Sequence, residues 1–338
     1  MRHLPTSVLV ALILFSASSL ALPINQSNAP APAQGQAIRV GVPLVNLYAT
    51  VLDKKKSIVP NLDQNNFRIF EDNVEQKISF FSREKTLPLA IGLLIDTSGS
   101  EANMIGAEQQ AASEFLHRIL HADDKAFVIA FDSGTAVLSD WTSDVPTLER
   151  AIRHASIGAG GAANRNHGGG QFPRTGNGGR GGRGGRFGGG GTHLYDAIDL
   201  ASHDLMPSQT ARRVLIILTD ATDHGSSVTV DQAVESAQHA DTLIQMLVVY
   251  ARKRDANFNV AKNLAENTGG HAIDVYNAQR LQAAFDEISE ELRTEYSLGY
   301  YPTNEKPDGT FRQLRLDMTN KNYKAETRKG YYARTTGN

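Results

Sequence analysis

The sequence contains no cysteine. That excludes disulfide staples, so the stability of the fold must come from its core, and it excludes a lipid attached at a cysteine near the N-terminus. Charge of one sign is also missing: 34 Lys and Arg face 36 Asp and Glu, a net charge of −2. Nothing global therefore draws the chain to nucleic acid or an anionic membrane. H-E-x-x-H, G-x-S-x-G and the phosphate-binding G-x-x-x-x-G-K-[ST] do not occur, which removes the common signatures of metalloproteases, α/β-hydrolases and P-loop enzymes. Beyond the first residues no apolar stretch approaches the ~20 residues of a membrane span. The one tryptophan, Trp141, reads as a packing residue.

What is present is a chain of 338 residues, 41% hydrophobic and 21% charged, a globular composition too long for one ordinary core. Arg2 and His3 precede an apolar run from Val8 to about Phe15, and Ser19 and Ala21 fit the small-x-small cleavage pattern. Residues 1–21 read as a signal peptide cleaved after Ala21, which implies export to the periplasm or the exterior with no membrane span in the mature chain. Residues 22–36, rich in Pro, Ala, Asn and Gln, read as a flexible lead-in.

Residues 37–85 show the period of two expected of β-strands, with Asp72-Asn73 as a turn. Residues 86–293 alternate apolar strands with helical patterns. Strands are expected at Leu87–Ile95, Ala126–Phe131, Ala136–Leu138, Val214–Leu218, Leu243–Val249 and His271–Val275. Helices are expected at Ala102–Leu120, Val145–Ala155, Leu194–Leu205, Val230–Ala240, Phe258–Asn267 and Ala278–Leu292. Continuous apolar strands between helices predict a doubly wound, mainly parallel sheet, an α/β fold of Rossmann-like construction. Residues 294–335 return to β, with Pro307-Asp308-Gly309 as a turn. Neither flanking β segment buries a core alone, so the two are expected to pair into one small β-domain with the α/β domain inserted between them. Tyr300, Tyr301, Tyr331 and Tyr332 are expected to face one another there. Residues 158–191 stand apart: 17 of these 34 positions are glycine and none is acidic. Glycine at that density offers nothing to bury, and a disordered loop is expected whose deletion spares folding.

The sharpest local signal is LLIDTSGS. The apolar strand ends at Asp96, and Ser98 and Ser100 follow at alternate positions. Short oxygen side chains at the carboxyl end of such a strand either cap the next helix or bind a hard cation. Two further loops at the same sheet edge present similar donors, GGGGTHLYDAI through Thr192 and VLIILTDATDHGS through Asp220.

This combination resembles the metal-ion-dependent adhesion site of the von Willebrand factor type A domain. That family carries D-x-S-x-S on a first loop, Thr on a second and Asp on a third, matched here by Asp96, Ser98 and Ser100, then Thr192, then Asp220. The resemblance covers about Thr86 to Leu292, and the flanking FRIFEDNVEQKISFF and RKGYYA look like a bacterial exported subfamily. It implies Mg²⁺, or Mn²⁺ or Ca²⁺, held at the top of the sheet with a position open for an Asp or Glu of a partner protein, a binding and adhesion role and not an enzymatic one. Two departures stand out: Ala221 replaces a glycine common after the third-loop Asp, and the loop before Thr192 is much longer than usual. Glu101 and Asp223 flank these loops; both are expected to be solvated loop carboxylates, with support of the ligands as the alternative. Arg180, Arg183 and Arg186, in the Arg-Gly-Gly repeats, are candidates for anion or partner contact; a phosphate-tracking role in nucleic-acid binding sits poorly with export. A scaffold or polyanion-binding protein acting through that loop or the β-domain is the alternative reading. A hydrolase using Asp96 as nucleophile lacks a second acid, since position 98 is Ser.

Overall fold

The computed structural model describes residues 44–83, 87–162 and 191–335. The residues expected to form a signal peptide and a lead-in, 1–36, and Arg180, Arg183 and Arg186 lie outside the described residues. Four strands come first: β1 (Val45–Leu52), β2 (Phe67–Glu71), β3 (Val74–Gln76) and β4 (Ile78–Ser82). The α/β portion runs β5 (Leu89–Asp96), α1 (Ile105–Ile119), β6 (Lys125–Phe131), β7 (Thr135–Thr142), α2 (Val145–His154), α3 (Ala159–Ala162), α4 (Leu194–Leu200), β8 (Arg212–Thr219), α5 (Val230–His239), β9 (Thr242–Val249), α6 (Phe258–Thr268), β10 (Ala272–Val275) and α7 (Ala278–Leu292). It is followed by β11 (Tyr296–Tyr300), β12 (Phe311–Met318), β13 (Lys324–Glu326) and β14 (Gly330–Tyr332).

The six-stranded sheet has the order β10-β9-β8-β5-β6-β7. Its strands are parallel except β7, which runs antiparallel to β6 at the edge. Strand β5 lies between β8 and β6, and all its residues are buried. Its side chains alternate between two cores. Leu89, Ile91, Leu93 and Ile95 face a cluster with Phe115, Ile152 and Phe285, from α1, α2 and α7. Leu94 joins Ile198, Ala237 and Leu264, from α4, α5 and α6. Burial on both faces is why the strand reads as an unbroken apolar run. Trp141 packs edge-on against Phe127 with ring centroids 4.7 Å apart, and its Nε1 donates to Leu205 O at 3.3 Å.

Two helix expectations need correction. The helix expected from Ala102 begins at Ile105, after a 3-10 turn over Gly99–Asn103. The helix expected over Leu194–Leu205 is α-helical only to Leu200 and continues as a π-turn over Ala201–Leu205.

The two chain ends do form common β structure. One sheet has the order β13-β1-β11-β4 and another β14-β12-β2-β3, so each mixes strands from before and after the α/β portion. Val45 pairs with Tyr300, and Leu314 pairs with Glu71, both across antiparallel ladders. Leu47, Ile69, Tyr296, Leu298 and Leu316 fill the core between them. The β2–β3 turn is Asp72-Asn73, at φ 47° and 66°, the left-handed pair a two-residue hairpin turn requires. Of the four tyrosines, Tyr300 and Tyr331 meet and the other two pack elsewhere. Tyr300 and Tyr331 both donate to Glu71 Oε2, at 2.5 and 2.8 Å. Tyr332 stacks on His239 of α5, and Tyr301 packs against Phe80. A buried hydroxyl needs an acceptor, and Glu71 satisfies two at once.

The β sheets and the α/β sheet are joined by buried polar contacts. Arg212 at the start of β8 meets Glu295 just before β11, at 2.5 Å. Asp124 accepts from Leu89 N and His121 N, both at 2.7 Å, and from the Arg293 guanidinium. His271 bridges α7 and β13, with Nε2 2.8 Å from Glu291 and Nδ1 3.3 Å from Glu326, where Lys324 also reaches at 2.8 Å. Burial alone would lower the His271 pKa, but hydrogen bonds and charges from Glu291 and Glu326 hold it up at about 10. The hydrogen bond from His271 in turn holds Glu326 down at about 2.

A raised histidine contributes its stability below its ordinary 6.5 and loses it as pH rises through about 10. A depressed carboxylate contributes above its ordinary 4.5 and loses it as pH falls through about 2. The stability gap between wild type and His271→Gln is therefore expected to be widest between those ordinary values and to close toward pH 10. Urea denaturation at pH 6 and pH 9.5 measures it; a gap that widens at the higher pH contradicts the bridge.

Candidate metal centre

Asp96 is the last residue of β5 and is wholly buried. Its Oδ1 accepts from Ser98 N at 2.9 Å, and its Oδ2 from the Thr219 hydroxyl at 2.6 Å. Burial pushes its pKa up to about 6; the Ser98 and Thr219 hydrogen bonds work against that and the Asp220 charge adds to it. Thr219 ends the adjacent strand β8, so the first and third loops are tied at their roots. Ser98 Oγ lies 3.0 Å from Ser100 Oγ, with Ser98 buried and Ser100 exposed.

Asp220 is 5% exposed. Its Oδ1 accepts from Thr222 N at 2.9 Å and from the Thr222 hydroxyl at 2.6 Å, and its backbone O accepts from Asn257 N. The next residue, Ala221, has φ 61°. This is the left-handed region, which explains glycine as the ordinary choice there. Alanine is strained by ~1–2 kcal/mol in that conformation, but its methyl is fully buried in the core with α4 and α5, which offsets part of the cost. Thr192 pairs with His224 across an isolated antiparallel bridge, N to O at 3.2 and 2.8 Å. The second loop is thereby fixed to the third.

Two carboxylates sit behind this arrangement. The 3-10 turn after Ser98 carries Glu101 inward to 1% exposure, and Glu108 in the first turn of α1 is fully buried. Ligand oxygens of Asp96, Glu101 and Asp220 lie within 4.8 Å of one another. Glu101 Oε1 and both oxygens of Glu108 meet no N–H or hydroxyl donor; the two carboxyls face each other and can hydrogen-bond only by sharing a proton. Burial raises both carboxyl pKa values strongly, and for Glu101 the charges of Glu108, Asp96 and Asp220 add to it. Buried carboxylates gathered with uncommitted oxygens are costly without a counter-ion. The set is all hard oxygen, the chemistry of Mg²⁺, Mn²⁺ or Ca²⁺. The residues present fit such a cation.

Asp223 is engaged elsewhere. Its Oδ1 accepts from the Ser226 hydroxyl at 2.6 Å and from Tyr195 N at 3.2 Å, so it orders the third loop against the start of α4. Sequence reasoning missed Glu108, Thr219 and Asp132. Thr97 donates its hydroxyl to Asp132 Oδ2 at 3.1 Å, and Gly160 N donates to Thr97 Oγ1 at 3.3 Å.

That last contact corrects the boundary of the glycine-rich segment. Residues 158–162 are ordered: Gly158 N donates to Thr97 O, and α3 lies over the loop after β6. The physical reason is the absence of a side chain. A Cβ on Gly160 would stand 2.5 Å from Asp132 N and 2.6 Å from Gly134 O, both backbone. Gly160→Ala is expected to destabilise the chain by ~1–3 kcal/mol; an unchanged urea midpoint contradicts the close approach. A deletion meant to spare folding must begin after Ala162.

The fold and the loops define a doubly wound α/β domain with oxygen donors at the carboxyl edge of its sheet, the edge where such sheets take ligands. Residues 91–168 match the family model of the von Willebrand factor type A domain. No curated protein matches the sequence. Among solved structures the chain is similar to the conserved hypothetical protein BatB from Bacteroides thetaiotaomicron. That match has 17% identity and a TM-score of 0.45, over 60% of this chain and 97% of that one. It is similar to a von Willebrand factor type A protein from Catenulispora acidiphila, with 10% identity and a TM-score of 0.48, over 87% of this chain and 73% of that one. It is also similar to proximal thread matrix protein 1 from the mussel byssus, in a form with a zinc-occupied MIDAS motif. There the identity is 12% and the TM-score 0.48, over 66% of this chain and 49% of that one. Among the described residues no helix is long and apolar enough to cross a membrane.

Proposed function

We propose that the chain is an exported binding protein that engages a partner protein through a divalent cation held by Asp96, Ser98, Ser100, Thr192 and Asp220. Domains of this family generally mediate protein–protein interactions. The observation that carries the reading is the gathering of Asp96 and Asp220, buried and uncompensated, on loops tied together by Thr219 and the Thr192–His224 bridge. Ser98, Ser100 and Thr192 supply neutral oxygens, and Mg²⁺ readily keeps exchangeable waters beside such ligands. Ser100 is exposed beside buried Ser98, so the site reaches the surface where an Asp or Glu of a partner replaces a water. Export rests on the N-terminal charge, apolar run and Ser19-x-Ala21 pattern.

The test is capture from envelope extracts of the source organism on immobilised mature chain. It is run with Mg²⁺, with EDTA, and with Asp96→Ala in Mg²⁺. A partner retained only by wild type in Mg²⁺ is the expected result. A partner retained equally in all three places the binding surface elsewhere.

A further inference from the structure

The five residues of the three loops supply charge through Asp96 and Asp220 alone, yet the structure brings a third carboxylate to the same point. Glu101 directly follows Ser100, and the 3-10 turn over Gly99–Asn103 folds it inward and not outward. Oxygens of Asp96, Glu101 and Asp220 lie within 4.8 Å of one another. Ligand oxygens on opposite sides of one hard cation stand about 4–5 Å apart, given bond lengths of about 2.0–2.6 Å. Glu101 Oε1, at 1% exposure, meets no N–H or hydroxyl donor; it faces the fully buried Glu108 carboxyl, which has no such donor on either oxygen and can bond to Glu101 only by sharing a proton. An orphaned acceptor in so dry a place is expensive unless a ligand completes it.

We propose that Glu101 is a third charged ligand of the cation, with Glu108 as the buried residue that positions it. The inference rests on the reading that these loops hold a cation. It gives the centre a character the motif alone does not. Three carboxylates outweigh one divalent charge, so the site holds its cation tightly and pulls less on an incoming carboxylate.

The probe is Mn²⁺ alone, titrated calorimetrically into the mature chain after EDTA treatment and dialysis. Glu101→Gln keeps size and one acceptor oxygen but removes the charge. It is expected to weaken Mn²⁺ binding tenfold or more without lowering the melting temperature of the cation-free chain, which relief of like-charge repulsion raises if it changes at all, a separation that a purely structural role does not give. Glu108→Gln is expected to weaken binding by a smaller factor. Should Glu101→Gln fail to fold, Glu101→Asp keeps the charge on a shorter arm and is expected to lose part of the affinity. Equal Mn²⁺ affinity in wild type and the folded Glu101 variant overturns the assignment. Asp96→Asn separates the two levels. If it abolishes binding while Glu101→Gln does not, only the role of Glu101 falls. If neither changes binding, the cation is not held by these loops at all.

Discussion

Arg212→Ala is expected to cost about 3–5 kcal/mol. Arg212 is 6% exposed and its guanidinium pairs with Glu295, itself 8% exposed. Glu295 also takes the Thr50 hydroxyl at 3.3 Å, and Arg212 reaches Leu292 O at 3.4 Å. Burial already pushes the Glu295 carboxyl up to about 7, against the pull of Arg212. Removing the arginine leaves that carboxylate without its counter-charge in a dry site, and breaking such a pair costs far more than the pair itself contributes. The double replacement Arg212→Met with Glu295→Leu removes both charges and is expected to cost markedly less than Arg212→Ala alone. Urea denaturation of the three proteins measures this; a double variant as unstable as the single one would show that packing, not charge, dominates the junction.

Asp96→Ala is expected to reduce cation affinity by at least ~10–100-fold, the range that even an outer partner of a metal ligand commands. The fold is expected to survive. The substitution leaves the Thr219 hydroxyl and Ser98 N without their acceptor, at ~1–3 kcal/mol. It also removes a buried charge beside Asp220, which offsets part of that loss. Calorimetric titration reads the affinity, and far-UV circular dichroism reads the fold. Loss of the helical signal would mean that Asp96 holds the loops together independently of any cation.

The elements most legible in the sequence were those whose pattern has one structural solution. Strand β5 is apolar at every position because both its faces are covered. Asp72-Asn73 marks a turn because its left-handed pair suits those residues. Pairing of the two chain ends followed from the fact that neither buries a core alone. Less was legible where a backbone detail decides a side chain's direction. Reading a regular helix from Ala102 left Glu101 on an exposed loop; the 3-10 turn reverses that.

Glu108 did carry a signal. It falls on the stripe of Ala111, Ala112, Phe115 and Ile119, all buried on α1, and a charge in register with an apolar stripe is an anomaly that asks for a partner. Asp132 and Thr219 carried none, because their contacts join loops far apart in the chain. Gly160 was invisible for the opposite reason: composition assigned it to a structureless segment, whereas its missing side chain is what lets that segment dock.

The most direct measurement is the melting temperature of the mature chain as a function of Mg²⁺ concentration, after removal of cations with EDTA. A cation bound only by the folded chain stabilises it by about 2.7 kcal/mol at 100 times its dissociation constant. The expected result is a melting temperature that climbs steadily with the logarithm of Mg²⁺ concentration in wild type and stays level in Asp96→Ala. A level line in wild type, or the same climb in both proteins, would contradict a cation centre at the carboxyl edge of the sheet.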